Sequence, residues 1–362
     1  EKIGEASSIL SYQTSSSPSQ KIELSDGCQN HKEGIQKILE IFDQEKNNPG
    51  SADLIVHRVV HGGTKYRHAS LLDLEVKQFI RDMIPLARTH HPASLACIEE
   101  ITEHFPEIPQ SVVFDTSFHQ TLPEYAWRYA LPRKISDQYA IRRYGFHGIS
   151  HQSVVKQAAS FLKTPVNKLN LITIHLGNGA SISAIKKGIC VDTTMGMTPL
   201  EGLVMGTRPG DLDPGILTLL AREGWNQEAL ETMLNQDSGM KGLCGTNDFR
   251  EILQNKEEGN EEAEMALELY CYRVRKTIGS FNTVIGPVDA LVFTGGVGEN
   301  VSWVRKRSVR GMEWMNIQLD PDMNDHAEAP CAIHSKDSQT KILVLPSNEE
   351  WEMASQAAEL IL

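Results

Sequence analysis

The chain has 362 residues, of which 40% are hydrophobic and 23% charged, a composition typical of a globular protein and unlike a disordered or fibrous one. Because domains usually have about 100–200 residues, we expect two of them. The 47 acidic and 35 basic residues give a net charge of −12, which argues against nonspecific nucleic-acid binding and against binding to anionic membranes. A small basic site for phosphates remains compatible with this charge.

The six cysteines are scattered, without a CxxC pair or a metal-ligand spacing, so we expect reduced thiols rather than a disulfide framework or structural zinc. No apolar run approaches the ~18–20 residues of a membrane span, and no basic-then-apolar leader opens the sequence. We therefore expect a cytoplasmic protein with neither nucleic acid nor membrane among its partners.

Hydrophobic periodicity predicts alternating strands and helices in the first 116 residues. The predicted strands are Ile9–Tyr12, Lys21–Leu24, Asp53–Val60 and Ser111–Phe114. The predicted helices are Gly34–Phe42, Leu71–Leu86 and Ala93–His104. This alternation indicates a mostly parallel sheet, and ligands bind at the carboxyl edge of such sheets.

A second unit is predicted to begin near residue 117. Its predicted strands are Leu171–His175, Ala180–Ile185, Ile189–Asp192, Asp289–Phe293 and Lys341–Leu345. Its predicted helices are His151–Leu162, Gly215–Arg222, Asn226–Asn235 and Glu261–Gly279. The final predicted helix, Glu349–Leu362, is expected to fold back on the first domain. The Gly/Pro-rich segment Met195–Pro214 is long for a simple connection, so we expect it to be functional.

Two glycine segments follow predicted strands, Gly177-Asn178-Gly179 and Gly295-Gly296-Val297-Gly298. Glycines let backbone N–H groups approach an anion closely, so both segments are candidate phosphate cradles. The alternatives are a simple hairpin turn for the first and a helix-entry turn for the second. Neither segment has the lysine of a P-loop or the fingerprint of a dinucleotide-binding fold.

Two arginines stand in glycine-flanked contexts, Arg58 before His61-Gly62-Gly63 and Arg208 within the long segment. A forked guanidinium suits a phosphate or carboxylate, although an ordinary ion pair would also explain either residue. His147, beside Arg143 and bracketed by glycines, is a candidate donor to a developing phosphoryl charge, or a satisfied polar residue. A metal site made of histidines is not expected, because HxH and HExxH spacings are absent.

Asp115, at a strand end, and Glu349, at the start of the last helix, are candidate ligands for Mg²⁺. For Glu349 the helix dipole alone would also favour an acidic residue.

Taken together, these segments resemble the acetate kinase family. The resemblance covers nearly the whole chain, and its strings occur in family order: residues 57–63, 114–119, 143–148, 175–181, 198–208, 248–250, 296–300 and 348–350. It implies an α/β, two-domain duplicated fold of the actin, Hsp70 and sugar-kinase type (ribonuclease H-like), with the active site in the interdomain cleft. The implied lobes are 1–116 with 349–362 on the substrate side and 117–348 on the nucleotide side.

The resemblance also implies the site residues and the reaction, which is phosphoryl transfer between ATP and acetate to give ADP and acetyl phosphate. The implied catalytic residues are Arg58, Asp115, His147 and Arg208. Those implied for the substrate are Arg58, Val60, Thr89, Phe146 and Pro199. Those implied for the nucleotide are His175, Leu176, Gly177, Asn178, Gly179, Asp248, Phe249, Arg250, Gly296, Val297, Gly298, Glu299 and Asn300. Glu349 would bind Mg²⁺ or Mn²⁺, and the family implies a homodimer that serves acetyl-CoA biosynthesis.

The sequence departs from the family pattern in two places. The family's first strand, Asn/Ser-rich loop and first hairpin are missing before Glu1-Lys2-Ile3-Gly4, so we expect the chain as written to be impaired in activity and stability. Thr89 stands where the family has leucine, and His91 where it has asparagine, which predicts a roomier acyl pocket that also accepts propionate. Besides acetate kinase, the alternatives are therefore a propionate kinase and a catalytically silent nucleotide-binding module.

Overall fold

The computed structural model describes residues 8–14, 17–24, 27–28, 30–44, 52–88 and 90–362. Within this part of the chain, none of the helices has the length and apolarity needed to cross a membrane. The chain forms two compact units: unit 1 is Glu1–Gly62, His68–Phe114 and Met353–Leu362, and unit 2 is Gly63–Arg67 and Asp115–Glu352.

Unit 1 contains an antiparallel hairpin and a separate three-stranded sheet with the order β3-β5-β4. Its strands are β1 (Ser8–Thr14), β2 (Ser17–Leu24), β3 (Ile55–Val59), β4 (Ser70–Leu71) and β5 (Gln110–Phe114). Its helices are α1 (His31–Gln44), α2 (Leu74–Asp82) and α3 (His91–His104). The strands β3 and β5 are parallel, as predicted, whereas β4 is antiparallel to β5.

The predicted helix over residues 71–86 is wrong at both ends. Asp73 accepts a hydrogen bond from the Val76 backbone N–H at 2.8 Å and so caps the N-terminus of α2, while residue 71 belongs to β4. The chain leaves the α-helical path after Asp82 and forms a 3₁₀ turn that contains Pro85, which has no N–H to donate. Capping and proline chemistry therefore shorten the helix that periodicity predicts.

Unit 2 is built on a six-stranded sheet with the order β10-β11-β9-β6-β7-β8. The strands are β6 (Leu171–Leu176), β7 (Ala180–Lys186), β8 (Ile189–Thr193), β9 (Ala290–Thr294), β10 (Cys331–Ala332) and β11 (Lys341–Val344). The strands β6, β9 and β11 run parallel, and β6, β7 and β8 form an antiparallel meander. Every residue of β9 is buried, as expected for an apolar central strand covered on both faces.

The helices of unit 2 that follow the predicted periodicity are α6 (Gly148–Phe161), α7 (Gly215–Arg222), α8 (Gln227–Gln236) and α11 (Glu261–Ile285). The last predicted helix, α15 (Glu349–Ala358), begins in unit 2, and its residues from Met353 onward belong to unit 1. The other helices of unit 2 were not predicted: α4 (Glu124–Trp127), α5 (Arg133–Gln138), α9 (Gly239–Cys244), α10 (Phe249–Glu257), α12 (Gly295–Asn300), α13 (Ser302–Ser308) and α14 (Pro321–Asp325). Most of these helices span fewer than two full turns, which is too short for a periodic signal.

Candidate active site

The two glycine segments differ in local structure. The first, at residues 177–179, is the turn of the β6–β7 hairpin, with the Gly177 N–H donating to the Gly179 carbonyl at 2.9 Å. The second is not a loop, because α12 begins at Gly295, whose φ of +79° suits glycine. The alternatives considered for the two segments, a hairpin turn and a helix entry, therefore describe their backbone correctly.

His147 is held at the N-terminus of α6 in a left-handed conformation, with φ of 55°. The next residue, Gly148, donates its N–H to the Asp115 carbonyl at 2.9 Å, and a Cβ on it would lie 2.2 Å from that oxygen. Only glycine therefore lets the start of α6 approach the segment after β5 this closely. The His147 ring stacks on that of His175 from β6, with centroids 4.3 Å apart.

The hairpin turn brings His147 and Arg208 together. A Cβ added to Gly179 would lie 3.0 Å from Nε2 of His147 and 3.2 Å from Nη2 of Arg208. Both side chains thus lie against one glycine, each with a nitrogen directed at it. An imidazole and a guanidinium side by side can bind the oxygens of a phosphoryl group.

The other terminal nitrogen of Arg208 is held by a hydrogen bond, because Nη1 donates to the Pro199 carbonyl at 2.7 Å. Burial lowers the pKa of this guanidinium from its ordinary value, although an arginine stays protonated at any physiological pH. This hydrogen bond joins two positions within the irregular segment Met195–Pro214, and the Arg208 side chain is preorganised rather than free to rotate.

Three residues to which the sequence analysis gave no role anchor that segment. Arg143 donates to the Thr194 carbonyl at 2.8 Å and to Oε1 of Glu201 at 2.6 Å. The Tyr129 hydroxyl donates to the other Glu201 oxygen and accepts the Met197 N–H at 3.0 Å. Burial and the hydrogen bond to Glu201 raise the pKa of Tyr129, so its hydroxyl stays protonated and continues to donate.

The predicted nucleotide residues around the hairpin turn are linked to their neighbours. The Asn178 carbonyl accepts the Gly206 N–H at 2.8 Å, and Oδ1 of Asn178 accepts from the Asn247 amide at 2.8 Å. A Cβ at Gly206 would lie 1.9 Å from that Oδ1. The turn therefore interlocks with two loops, one of which leads directly into Asp248.

The predicted trio Asp248, Phe249 and Arg250 has three different environments. Asp248 caps α10 and pairs with Arg250, which holds the pKa of the Asp248 carboxyl at about 2. The Phe249 ring is buried and packs edge-on against Tyr270 at 5.0 Å. The Arg250 side chain is 91% exposed, so of the three it is the most accessible to a ligand in solvent.

The carboxylate of Glu299 joins the start of α12 to the segment that precedes Glu349. It accepts the Gly295 N–H at 3.0 Å and the Ser347 N–H at 3.1 Å. A Cβ on Gly296 would meet nothing within 4 Å, so the space beside that glycine is open. The Glu299 carboxylate thus bonds to groups of the protein itself, whereas the Cβ position of Gly296 faces open space.

Glu349 is the first residue of α15, and Glu352, one turn later, is buried and paired with Lys156 of α6 at 2.7 Å. Asp115 is buried as well. In the described part of the chain no three His, Cys, Asp or Glu side chains form a group able to hold a metal ion by themselves. Mg²⁺ needs only one or two carboxylates when phosphates and water complete its shell, and the carboxylates present fit that requirement.

The remaining predicted residues are in different places. Arg58 lies on an exposed position of β3 in unit 1, and Val60 follows that strand. Phe146, in unit 2, is buried, and its carbonyl accepts from Nε2 of His119 at 2.9 Å. Thr89 lies outside the described residues.

His91, which we expected to change the acyl pocket, has both ring nitrogens engaged inside unit 1. Its Nε2 accepts the His61 N–H at 3.2 Å, and its Nδ1 lies 2.9 Å from the Ile80 carbonyl. Burial lowers the pKa of His91, so the ring is neutral and can accept and donate at once. His91 therefore supports the turn after β3.

Comparison with known proteins decides the family. The model of the acetokinase family matches residues 1–355. The chain belongs to this family. It is 46% identical to the acetate kinase of Sulfurovum sp. (strain NBC37-1) and 43% identical to that of Campylobacter lari (strain RM2100), in each case over 100% of this chain and 92% of the relative.

Solved structures agree with this assignment. The acetate kinase of Porphyromonas gingivalis is 38% identical, with a TM-score of 0.90, over 100% of this chain and 92% of that chain. A propionate kinase of Francisella tularensis is 37% identical, with a TM-score of 0.91, over 99% and 91%. The predicted family and α/β fold are confirmed, and the chain is a phosphotransferase with a carboxyl group as acceptor.

Proposed function

We propose that this member of the acetokinase family transfers a phosphoryl group reversibly and directly between ATP and acetate, giving ADP and acetyl phosphate. The observation that carries the proposal is the placement of His147 and Arg208 against Gly179, beside the hairpin turn. We propose acetate rather than propionate as the acceptor because the relatives from Sulfurovum and Campylobacter lari named above are acetate kinases.

The proposed roles follow from charge and position. Phosphoryl transfer needs positioning and charge neutralisation more than covalent chemistry. The preorganised Arg208 would neutralise charge on the moving group, and His147 would donate a hydrogen bond to it. Arg58 would orient the carboxylate, Asp115 would serve the substrate and metal, and Val60, Thr89, Phe146 and Pro199 would line the acyl site.

For the nucleotide, we propose the hairpin residues His175–Gly179, the trio 248–250 and residues 296–300. The open space beside Gly296 supports a backbone contact with the nucleotide there. Glu349 and Asp115 would hold Mg²⁺ (or Mn²⁺), which supplies positive charge between the phosphates. We also propose that the lobes are those implied by the sequence, 1–116 with 349–362 and 117–348, and that the protein is a cytoplasmic homodimer.

The test is to measure acyl phosphate formation, trapped as a hydroxamate, with ATP, Mg²⁺ and either acetate or propionate. We expect a higher kcat/KM for acetate. ATP binding in calorimetry without any acyl phosphate would instead identify a catalytically silent nucleotide-binding module, and a higher kcat/KM for propionate would identify a propionate kinase.

A further inference from the structure

A serine hydroxyl lies between two histidine rings behind the proposed catalytic site. Oγ of Ser181, on β7, is 2.9 Å from Nδ1 of His147 and 2.8 Å from Nε2 of His151, one turn further along α6. Ser181 and His151 are both fully buried. The chain of contacts continues from Nδ1 of His151 to Oγ1 of Thr173 at 2.8 Å.

His151 is uncharged in this position. Complete burial lowers its pKa well below the ordinary value, and the neighbouring His119 and His175 rings act in the same direction. A neutral imidazole has a single N–H, so one of its nitrogens donates and the other accepts. The direction of the hydrogen bond at one nitrogen of His151 therefore fixes the direction at the other.

The direction is set at Thr173. Its hydroxyl donates to the Ser183 carbonyl at 3.5 Å, and a carbonyl oxygen can only accept. Oγ1 of Thr173 then accepts from Nδ1–H of His151, which leaves Nε2 of His151 to accept from the Ser181 hydroxyl. The Ser181 oxygen in turn accepts from Nδ1–H of His147.

The opposite edge of the His147 ring faces the proposed phosphoryl site. Its Nε2 lies against Gly179 next to Nη2 of Arg208, and its face lies against His175. The groups around His147 include the Arg208 cation, the His175 ring and the polar chain through Ser181 and His151.

We propose that Ser181 and His151 are positioning residues that keep a proton on Nδ1 of His147, so that Nε2 is the nitrogen that gains and loses a proton at the phosphoryl site. The proposal rests on the proposed function for the role of Nε2, while the proton on Nδ1 is a property of the resting protein. Nε2 then donates a hydrogen bond to a phosphoryl oxygen when the ring is an imidazolium, with the Ser181 oxygen accepting from the other edge.

The tautomer is measured by ¹⁵N NMR on histidine-labelled protein, with the His147 signals assigned by their loss in a His147→Gln variant. We expect the neutral ring of the wild-type protein to carry its proton on Nδ1. In Ser181→Ala that preference should be lost, because the tautomer of an imidazole is set by the hydrogen bond at its other nitrogen.

Ser183→Ala is the matched control. Ser183 lies two residues further along β7, on the same face, is equally buried and hydrogen-bonds through Oγ to Thr193 at 2.9 Å, without touching His147. We expect the control to leave the tautomer and kcat unchanged, whereas Ser181→Ala should lower kcat about 10–100-fold, with KM for ATP and acetate retained. His151→Gln, which keeps an acceptor near Nε2, should restore part of the effect lost in His151→Ala.

A wild-type His147 ring with its proton on Nε2 would overturn the proposal, whether or not the Ser181 variant folds. Equal losses of kcat in the Ser181 and Ser183 variants would also overturn it, since a general packing effect would then suffice. The tautomer is read without turnover. A wild-type protein with the expected tautomer but without acyl phosphate formation would therefore refute the proposed function and leave the proton assignment in place.

Discussion

Two glycines of unit 2, Gly179 in the hairpin turn and Gly296 in α12, show opposite uses of the same residue type. At the hairpin turn, glycine removes a side chain so that the protein's own groups can approach, because His147 and Arg208 both lie within 3.2 Å of where a Cβ on Gly179 would be. At the start of α12, Gly296 has nothing within 4 Å of its Cβ position. A glycine pattern after a strand therefore indicates close approach, but the sequence alone does not tell whether the approaching group is part of the protein or a ligand.

The largest expected effect is that of removing the Arg208 guanidinium, which lies against Gly179 in the hairpin turn. Arg208→Ala should lower kcat about 10³–10⁵-fold, the range found when an arginine that stabilises phosphoryl transfer is removed. Nucleotide affinity should change little, because Arg208 is proposed to act on the moving group. Steady-state kinetics and ATP calorimetry measure the two quantities, with Arg222→Ala, at an exposed position of α7, as control. Near wild-type turnover in Arg208→Ala would exclude the proposed role.

The buried His119 ring should make the free energy of unfolding depend on pH. Burial lowers the pKa of His119 to about 4, and a Cβ on Gly145 would lie 2.6 Å from its ring, which is too close for any side chain. Since the folded pKa lies below the unfolded value of about 6.5, the stabilising contribution is complete above pH 6.5 and lost as the pH falls towards 4.

The free energy of unfolding should therefore drop by about 3 kcal/mol over this range through His119 alone. Urea titrations at a series of pH values measure it, and a His119→Gln variant should show a shallower dependence. The same pH dependence in the variant would contradict the assignment of the effect to His119.

A paired substitution compares the two glycine segments directly. Gly179→Ala places a methyl group against His147 and Arg208 and should lower kcat about 10–100-fold, since small displacements of catalytic groups are costly. Gly296→Ala meets no protein atom, so kcat should be retained while KM for ATP rises if the nucleotide occupies that space. A loss of kcat in Gly296→Ala that exceeds the loss in Gly179→Ala would reverse the comparison.

The smallest expected effect is on the free energy of unfolding and concerns Tyr129, which anchors the irregular segment Met195–Pro214. Tyr129→Phe removes the hydroxyl that joins Glu201 to the Met197 N–H and should cost about 1 kcal/mol of unfolding free energy. Tyr125→Phe is the matched control, because the Tyr125 side chain is 88% exposed and its hydroxyl lies in solvent. Thermal unfolding of the two variants measures the difference, and equal melting temperatures would show that the anchor contributes nothing.

Most of the regular structure could be predicted because the central strands and long helices have strong periodicity. The strand pattern placed β6, β7, β8 and β9 within one or two residues of their observed ends. Short helices such as α12 were missed because glycine-rich and single-turn segments have no hydrophobic period. The resemblance identified the family, which no composition argument could have done.

The supporting residues of the candidate site were missed for a different reason. Ser181 and Ser183 are polar residues in an otherwise apolar buried strand, and His151 lies four residues after His147 on the same helix, which places both on one face. Those signals were present in the sequence. Tyr129 and Glu201, by contrast, are 72 positions apart, and only the folded chain brings them together.

The fit between Asn178 and Gly206 has a consequence for how this enzyme can vary. With a methyl group at position 206 excluded by the Asn178 amide, the two sites are not independent: a larger residue at one is tolerated only with a shorter one at the other. Randomised libraries should therefore mutate positions 178 and 206 jointly, because a search that changes them one at a time will discard combinations that work.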